Sequence, residues 1–102
     1  MARYILIAIN GPTAGEGDEQ DYNDWYRDVH IADLLATPGV ESAKRFRVVM
    51  SKHDLPPYLA LYEIETDDLQ QVLDHMVEHN RPFPATFDGK NSEFITAVAV
   101  DE

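Results

Sequence analysis

Apolar residues in this chain change their spacing in a fixed order (strand, helix, strand, strand, helix, strand), and that order leaves few folds open. Residues 4–9 form an unbroken apolar run closed by Asn10-Gly11-Pro12, the pattern of a strand covered on both faces. Residues 11–17 are small and polar, and Asp18 or Asp21 then offers an N-cap for a helix reaching Ala36. Thr37-Pro38-Gly39 stops that helix, because proline cannot continue the backbone ladder and glycine accepts the left-handed turn. Residues 40–50 alternate as a long second strand, with Ser42, Lys44, Phe46, Val48 and Met50 on one side and Glu41, Ala43, Arg45, Arg47 and Val49 on the other. A hairpin loop over 51–57 leads into a third strand over 58–65. Thr66 is the expected cap of a second helix, whose buried face carries Leu69, Val72, Leu73, Met76 and Val77 and which frays near Asn80. Residues 81–92 hold two prolines and a glycine beside Phe83 and Phe87, so this segment is expected to fold over the body of the protein. A last strand over 93–100 has apolar residues on both faces.

The β-α-β-β-α-β order predicts an α+β fold in which two crossovers put both helices on one face of a four-stranded antiparallel sheet. The other face then exposes apolar surface that a lone subunit rarely tolerates, and face-to-face homodimerisation is the expected remedy. One hundred and two residues suffice for one hydrophobic core and not two, which predicts a single domain over 1–102. A formal charge of −11 repels nucleic acid and anionic membranes, so neither is an expected partner. The absence of cysteine removes disulfides, thiolate nucleophiles and thiolate metal ligands together. The run after Met1-Ala2-Arg3 is too short for a signal-peptide core or a membrane span, which predicts a cytoplasmic location.

The first helix holds one conflict between pattern and chemistry. At about 100° per residue, Tyr22, Trp25, Tyr26, Val29, Ala32 and Ala36 gather on one side, with Asp33 in the middle of them. A carboxylate is thereby aimed at the core, with Tyr26 and His30 within reach at three- and four-residue spacings. Buried ionisable groups are costly unless paired, and proton-transfer sites are where that cost is tolerated. In the catalytic reading His30 shuttles a proton, Asp33 orients it and holds its tautomer, and Tyr26 donates to a developing oxyanion. In the structural reading Asp33 is a buried fastener, paired with Arg45, Arg47 or His30, and His30 is a hydrogen-bonded core histidine. Trp25, Tyr22, Tyr62, Phe83 and Phe87 either fill the core or wall an aromatic cavity for a small apolar or aromatic ligand, with His79 reaching in from the second helix.

Two further motifs are weaker. His75-Met76-Val77-Glu78-His79 matches the H-x-x-E-H pattern, in which imidazoles at i and i+4 share one metal. Glu93 is its one plausible third ligand, so a surface histidine pair is expected and no metal site. Residues 11–17 lie where a phosphate loop would, but lack Lys-Ser/Thr and carry Glu16, which predicts a flexible loop near the pocket mouth.

The stretch from Trp25 to Val40, with its aromatic pair, His30 three residues before Asp33, and Pro38-Gly39, precedes Ser42-Ala43-Lys44-Arg45-Phe46. Together these resemble the EthD-like branch of the dimeric α+β barrel superfamily. The resemblance implies a ferredoxin-like fold, a homodimer whose sheets close into a barrel, and a pocket between sheet and helices in each subunit. It implies a range of activities: cofactor-free lactone isomerases, polyketide cyclases and decarboxylases, and heme-handling monooxygenases. His30 matches the histidine that acts in proton transfer in isomerase-like relatives, whereas the cysteine that some of them use is absent here. The expected function is a cofactor-independent isomerase, cyclase, decarboxylase or lyase. The alternatives are a non-catalytic ligand-binding or interaction homodimer, or a heme-dependent monooxygenase with His30 as the axial ligand.

Overall fold

β1 (Ala2–Asn10) runs through the middle of the sheet because its alternate residues are apolar on both sides. The computed structural model describes residues 2–101, so Met1 and Glu102, the ends of the expected 1–102 domain, lie outside the described residues. β1 pairs antiparallel with β3 (Tyr58–Thr66) on one side and with β4 (Glu93–Val98) on the other. β2 (Val40–Arg47) pairs antiparallel with β3, giving the order β2-β3-β1-β4. This is the four-stranded antiparallel sheet of the ferredoxin-like fold, with a helix in each crossover. Among the described residues no helix is long and apolar enough to cross a membrane.

Registry sorts side chains between the two faces, since paired residues project to the same side. Leu6 opposite Tyr62, and Arg45 opposite Ala60, face the helices. Ile5, Ile7, Ile9, Leu59, Leu61, Phe46 and Ile95 share the opposite face, which no helix covers. The expectation that the first strand is covered on both faces is therefore corrected. Its three isoleucines are half-buried by sheet neighbours alone.

The first helix, α1, spans 18–35 as Asp18–Trp25, a π-helical turn Tyr26–His30, and Ile31–Leu35. The π turn closes with the Ile31 N–H donating to the Tyr26 carbonyl, one residue farther back than in an α-helix. It decides which face is buried. Tyr22, Tyr26, His30 and Leu34 follow a strict four-residue spacing and all are buried. In a regular α-helix each such step drifts by about 40°, and the extra residue in one turn restores most of what three steps lose. The expected face is corrected accordingly: Leu34 replaces Ala32 and Ala36, which are exposed.

Capping also differs from expectation. Gly17, at φ 81°, starts α1 without a side-chain cap, and Asp18 instead accepts from Thr13 Oγ1 at 2.6 Å and from the Gly15 N–H at 2.9 Å. Gly39, at φ 98°, makes the turn after Pro38 as expected. The second helix, α2 (Leu69–His79), is capped by Asp68, whose Oδ1 accepts from the Gln71 N–H at 3.1 Å. Thr66 holds that cap through the Asp68 N–H. Val72 and Met76 are buried, whereas Val77 is exposed. β2 stops at Arg47 and leaves Val49 and Met50 in solvent, so it is shorter than its alternation suggests. β4 likewise ends at Val98. The 81–92 segment folds back as expected and includes a 3-10 turn, Gly89–Asn91. Its Thr86 carbonyl accepts from Thr13, and its Asp88 N–H donates to Gly11. Those bonds pin the 11–17 loop, which was expected to be flexible.

The π turn makes a prediction that regular helical spacing contradicts. Leu34→Ala costs about 2–5 kcal/mol of stability in urea unfolding. Ala32→Lys changes it by no more than about 0.5 kcal/mol; a large loss there places Ala32 in the core and removes the four-residue face.

Candidate active site

His30 sits at the end of the π turn with its ring among three aromatic rings. It stacks on Trp25 at 4.7 Å between centroids and 22° between planes. Tyr26 meets it edge-on at 4.9 Å, and Phe83 closes a third side at 5.3 Å. The residue is 9% exposed, and its Nδ1 is buried with no hydrogen-bond partner among the described residues. Burial lowers its pKa from the ordinary 6.5 to about 4, with Arg45 adding to the effect and Asp33 opposing it. The imidazole is thus neutral at pH 7.

Asp33 makes its hydrogen bonds to Arg81 rather than to His30. Its carboxylate accepts from the Arg81 backbone N–H at 2.8 Å, from Nε at 3.0 Å and from Nη2 at 2.7 Å. The same Nη2 also reaches the Val29 carbonyl at 3.3 Å. The Asp33 side chain is 13% exposed beneath an Arg81 that is 56% exposed. Hydrogen bonding from Arg81 holds the carboxyl below its ordinary range and correspondingly raises the arginine. The fastener geometry is therefore present, but its arginine comes from the segment after α2 and not from β2.

Arg45, one of the expected partners, belongs to a different cluster. Its guanidinium lies 4.2 Å from the centre of the Tyr26 ring, 5.0 Å from that of Tyr58 and 5.5 Å from that of Tyr22, and Nη2 donates to Asn23 at 2.9 Å. Tyr26 and Tyr62 meet through their hydroxyls at 3.1 Å, while the Tyr22 hydroxyl donates to Asn10. Burial pushes the Tyr62 and Tyr22 phenols well above the ordinary range.

A cleft of about 540 Å³ opens between the sheet and the C-terminal parts of the helices. Leu6, Leu34, Leu73, Met76, Phe83 and Phe94 make most of its wall apolar, and His30, Tyr62, Asn80 and Arg81 bring polar groups to it. His30, Tyr62 and Phe83 are thus gathered as the sequence suggested. Tyr26, Trp25, Tyr22 and Phe87 stand behind them in one aromatic layer, linked by ring contacts of 5.5 to 6.2 Å. Tyr26 is not among the residues that line the cleft, and its hydroxyl meets that of Tyr62. His79 lies outside the cleft, exposed beside Glu78, and its ring is 4.2 Å from that of His75. Among the described residues no three His, Cys, Asp or Glu side chains are grouped to hold a metal. Residues 11–17 do not line the cleft either.

Sequence reasoning missed the polar cleft residues Arg81 and Asn80, along with Phe94 and the aliphatic lining. Arg81 lies 48 residues from Asp33 in the chain, beyond any local spacing. The one available signal was a lone arginine after a helix end, inside a segment expected to fold back.

A ferredoxin-like α+β sandwich with one apolar cleft between its layers, and a buried histidine on the cleft wall, is the class defined by this geometry. Residues 15–100 match the family described as a domain of unknown function, DUF4286, and the chain belongs to that family. Solved structures share its fold, three of them over nearly the whole chain. They are a dimeric ferredoxin-like protein of unknown function from Jannaschia sp. CCS1 (17% identity, TM-score 0.58, 93% of this chain and 97% of that one), an EthD family protein from Bacillus halodurans C-125 (13%, 0.56, 98% and 100%), and a DABB family protein from Mesorhizobium loti MAFF303099 (12%, 0.55, 98% and 99%). The EthD-like resemblance thus holds for the fold. Core atranone cluster (CAC) protein 1 of Stachybotrys chlorohalonatus (strain IBT 40285) is 33% identical over 61 residues, which make up 60% of this chain and 26% of that protein. The match spans about a quarter of that curated relative's length.

His30 couples stability to pH. Its folded pKa lies below its unfolded one, so the unfolded chain takes up the proton first. The contribution is complete above about pH 6.5 and is lost as pH falls toward about 4. Urea melts across this range lose stability steadily in the native protein and flatten in His30→Gln; parallel curves contradict a buried neutral imidazole.

Proposed function

We propose that the chain is a cofactor-independent acid-base enzyme of the isomerase, cyclase, decarboxylase or lyase type, acting on a small apolar, aromatic or polyketide-like molecule. It works as a cytoplasmic homodimer of single 1–102 domains closing into an α+β barrel. The observation that carries this reading is a neutral, almost fully covered imidazole on the wall of an otherwise apolar cleft. A neutral imidazole has a free lone pair with which to accept a proton from a bound molecule and can return it to product. His30 is the catalytic residue. Tyr62 lines the cleft and is the hydroxyl closest to the role expected of Tyr26, which backs it. Asp33 acts through Arg81 rather than through His30. Trp25, Tyr22 and Phe87 support the substrate wall formed by Phe83. The relative named for an atranone cluster supports a place in biosynthesis.

A non-catalytic ligand-binding homodimer is the second reading, favoured by one observation: no group among the described residues fixes the tautomer of His30 at Nδ1. The same orphaned nitrogen does not fit a heme-dependent monooxygenase, whose axial histidine needs a partner to hold its ring.

Once mass spectrometry of the purified protein identifies the bound molecule, His30→Ala lowers its turnover by about 10²–10⁴-fold, with circular dichroism and dimer state retained. Unchanged turnover leaves the ligand-binding reading. The dimer has its own test on the uncovered sheet face, where Leu61 pairs with Ile7. Native protein sediments as a dimer and Leu61→Glu as a monomer; a monomeric native protein removes the barrel.

A further inference from the structure

Among the described residues, Arg81 is the only permanently charged side chain lining the cleft. Its backbone N–H, Nε and Nη2 are all engaged by Asp33, with Nη2 shared with the Val29 carbonyl, so the guanidinium plane is fixed from one side. No described residue accepts from its remaining nitrogen, Nη1. A guanidinium fixed in plane at the solvent-facing edge of an apolar cleft therefore keeps N–H donors that no described residue uses. Its charge, by contrast, is already balanced by the Asp33 carboxylate.

We infer that Arg81 orients the substrate in this cleft, and that the group it takes is a neutral carbonyl oxygen rather than a carboxylate. The inference rests on the reading of this cleft as the substrate site. A second carboxylate on Nη1 would lie close to Asp33 in a chain of formal charge −11, with no uncompensated cation to hold it. A carbonyl oxygen incurs no such repulsion and gains a charge-assisted hydrogen bond. His30 lies one turn before Asp33 on α1 and lines the same cleft. With the oxygen on Arg81, the bond broken is a C–H next to the carbonyl. The proton goes to the imidazole nitrogen, and the electron pair moves through the new C=C to the carbonyl oxygen. The enolate charge then forms against the Nη1 donors, where a pre-set donor has its largest effect. The substrate class is thus an enolisable, largely apolar ketone, aldehyde or lactone, and free acids are disfavoured.

Trp25 provides the readout. It is the only tryptophan, and its ring contacts both His30 and Phe83 on the cleft wall. Fluorescence titrations with 2-octanone and octanoate compare two eight-carbon occupants, one a neutral ketone and one a carboxylate. Native protein binds the ketone about tenfold more tightly than the acid, and Arg81→Gln abolishes that preference by weakening the ketone. Asp33→Asn, which uncovers the arginine's charge, strengthens octanoate binding about tenfold. If that variant does not fold, the native ratio and its loss in Arg81→Gln decide alone. Equal or tighter octanoate binding by the native protein, an unaltered ratio in Arg81→Gln, or no binding of either probe overturns the inference. A ketone preference that survives beside unchanged turnover in His30→Ala removes the proton-transfer role while leaving Arg81 as the carbonyl anchor.

Discussion

The extra residue in the turn Tyr26–His30 governs where this protein keeps its chemistry. Without it, each four-residue step would drift by about 40°, and Tyr22 and Leu34, at the two ends of the buried row, would stand about 120° apart. With it, His30 is carried inward to the boundary between aromatic layer and cleft. Asp33 meanwhile turns toward the segment that leaves α2.

The Asp33–Arg81 contact is the second organising feature, and it is more than a surface ion pair. The carboxylate is mostly covered, and it binds the main chain of residue 81 as well as its side chain. It therefore fixes the path of the chain immediately before Phe83, whose ring packs on Trp25 at 5.3 Å and stacks on Phe87 at 4.5 Å. A polar clamp placed where a loop departs from a helix sets an aromatic wall that hydrophobic packing alone would leave free to slide.

Element order was legible because it rests on periodicity over many residues. The stop at Thr37-Pro38-Gly39, the buried Val72 and Met76 stripe, and the return of the 81–92 segment follow from that pattern. Local exceptions were not legible. Nothing in the sequence marks a π turn, so the face drawn with regular spacing put Ala32 and Asp33 where Leu34 belongs. Caps were misplaced by one or two residues because Thr66 and Asp68 both carry oxygens able to cap, and geometry chose the second. At the site, His30, Tyr62 and Phe83 could be named from residue type and face. The partner of Asp33 could not, since strand arginines were as plausible on chemistry and only tertiary folding brings residue 81 near.

β4 has a consequence of a different kind. It is a margin of the sheet with one side of its backbone unpaired, and Phe94, Ile95 and Val98 are all largely exposed on it with no charge between Glu93 and Asp101. The opposite margin, β2, carries Glu41, Lys44, Arg45 and Arg47, the kind of residues that discourage a foreign strand from adding on. Such asymmetry makes growth by strand addition directional: a crowded, partly unfolded population would stack through β4 first. Charge introduced there is where resistance to fibre formation would be gained.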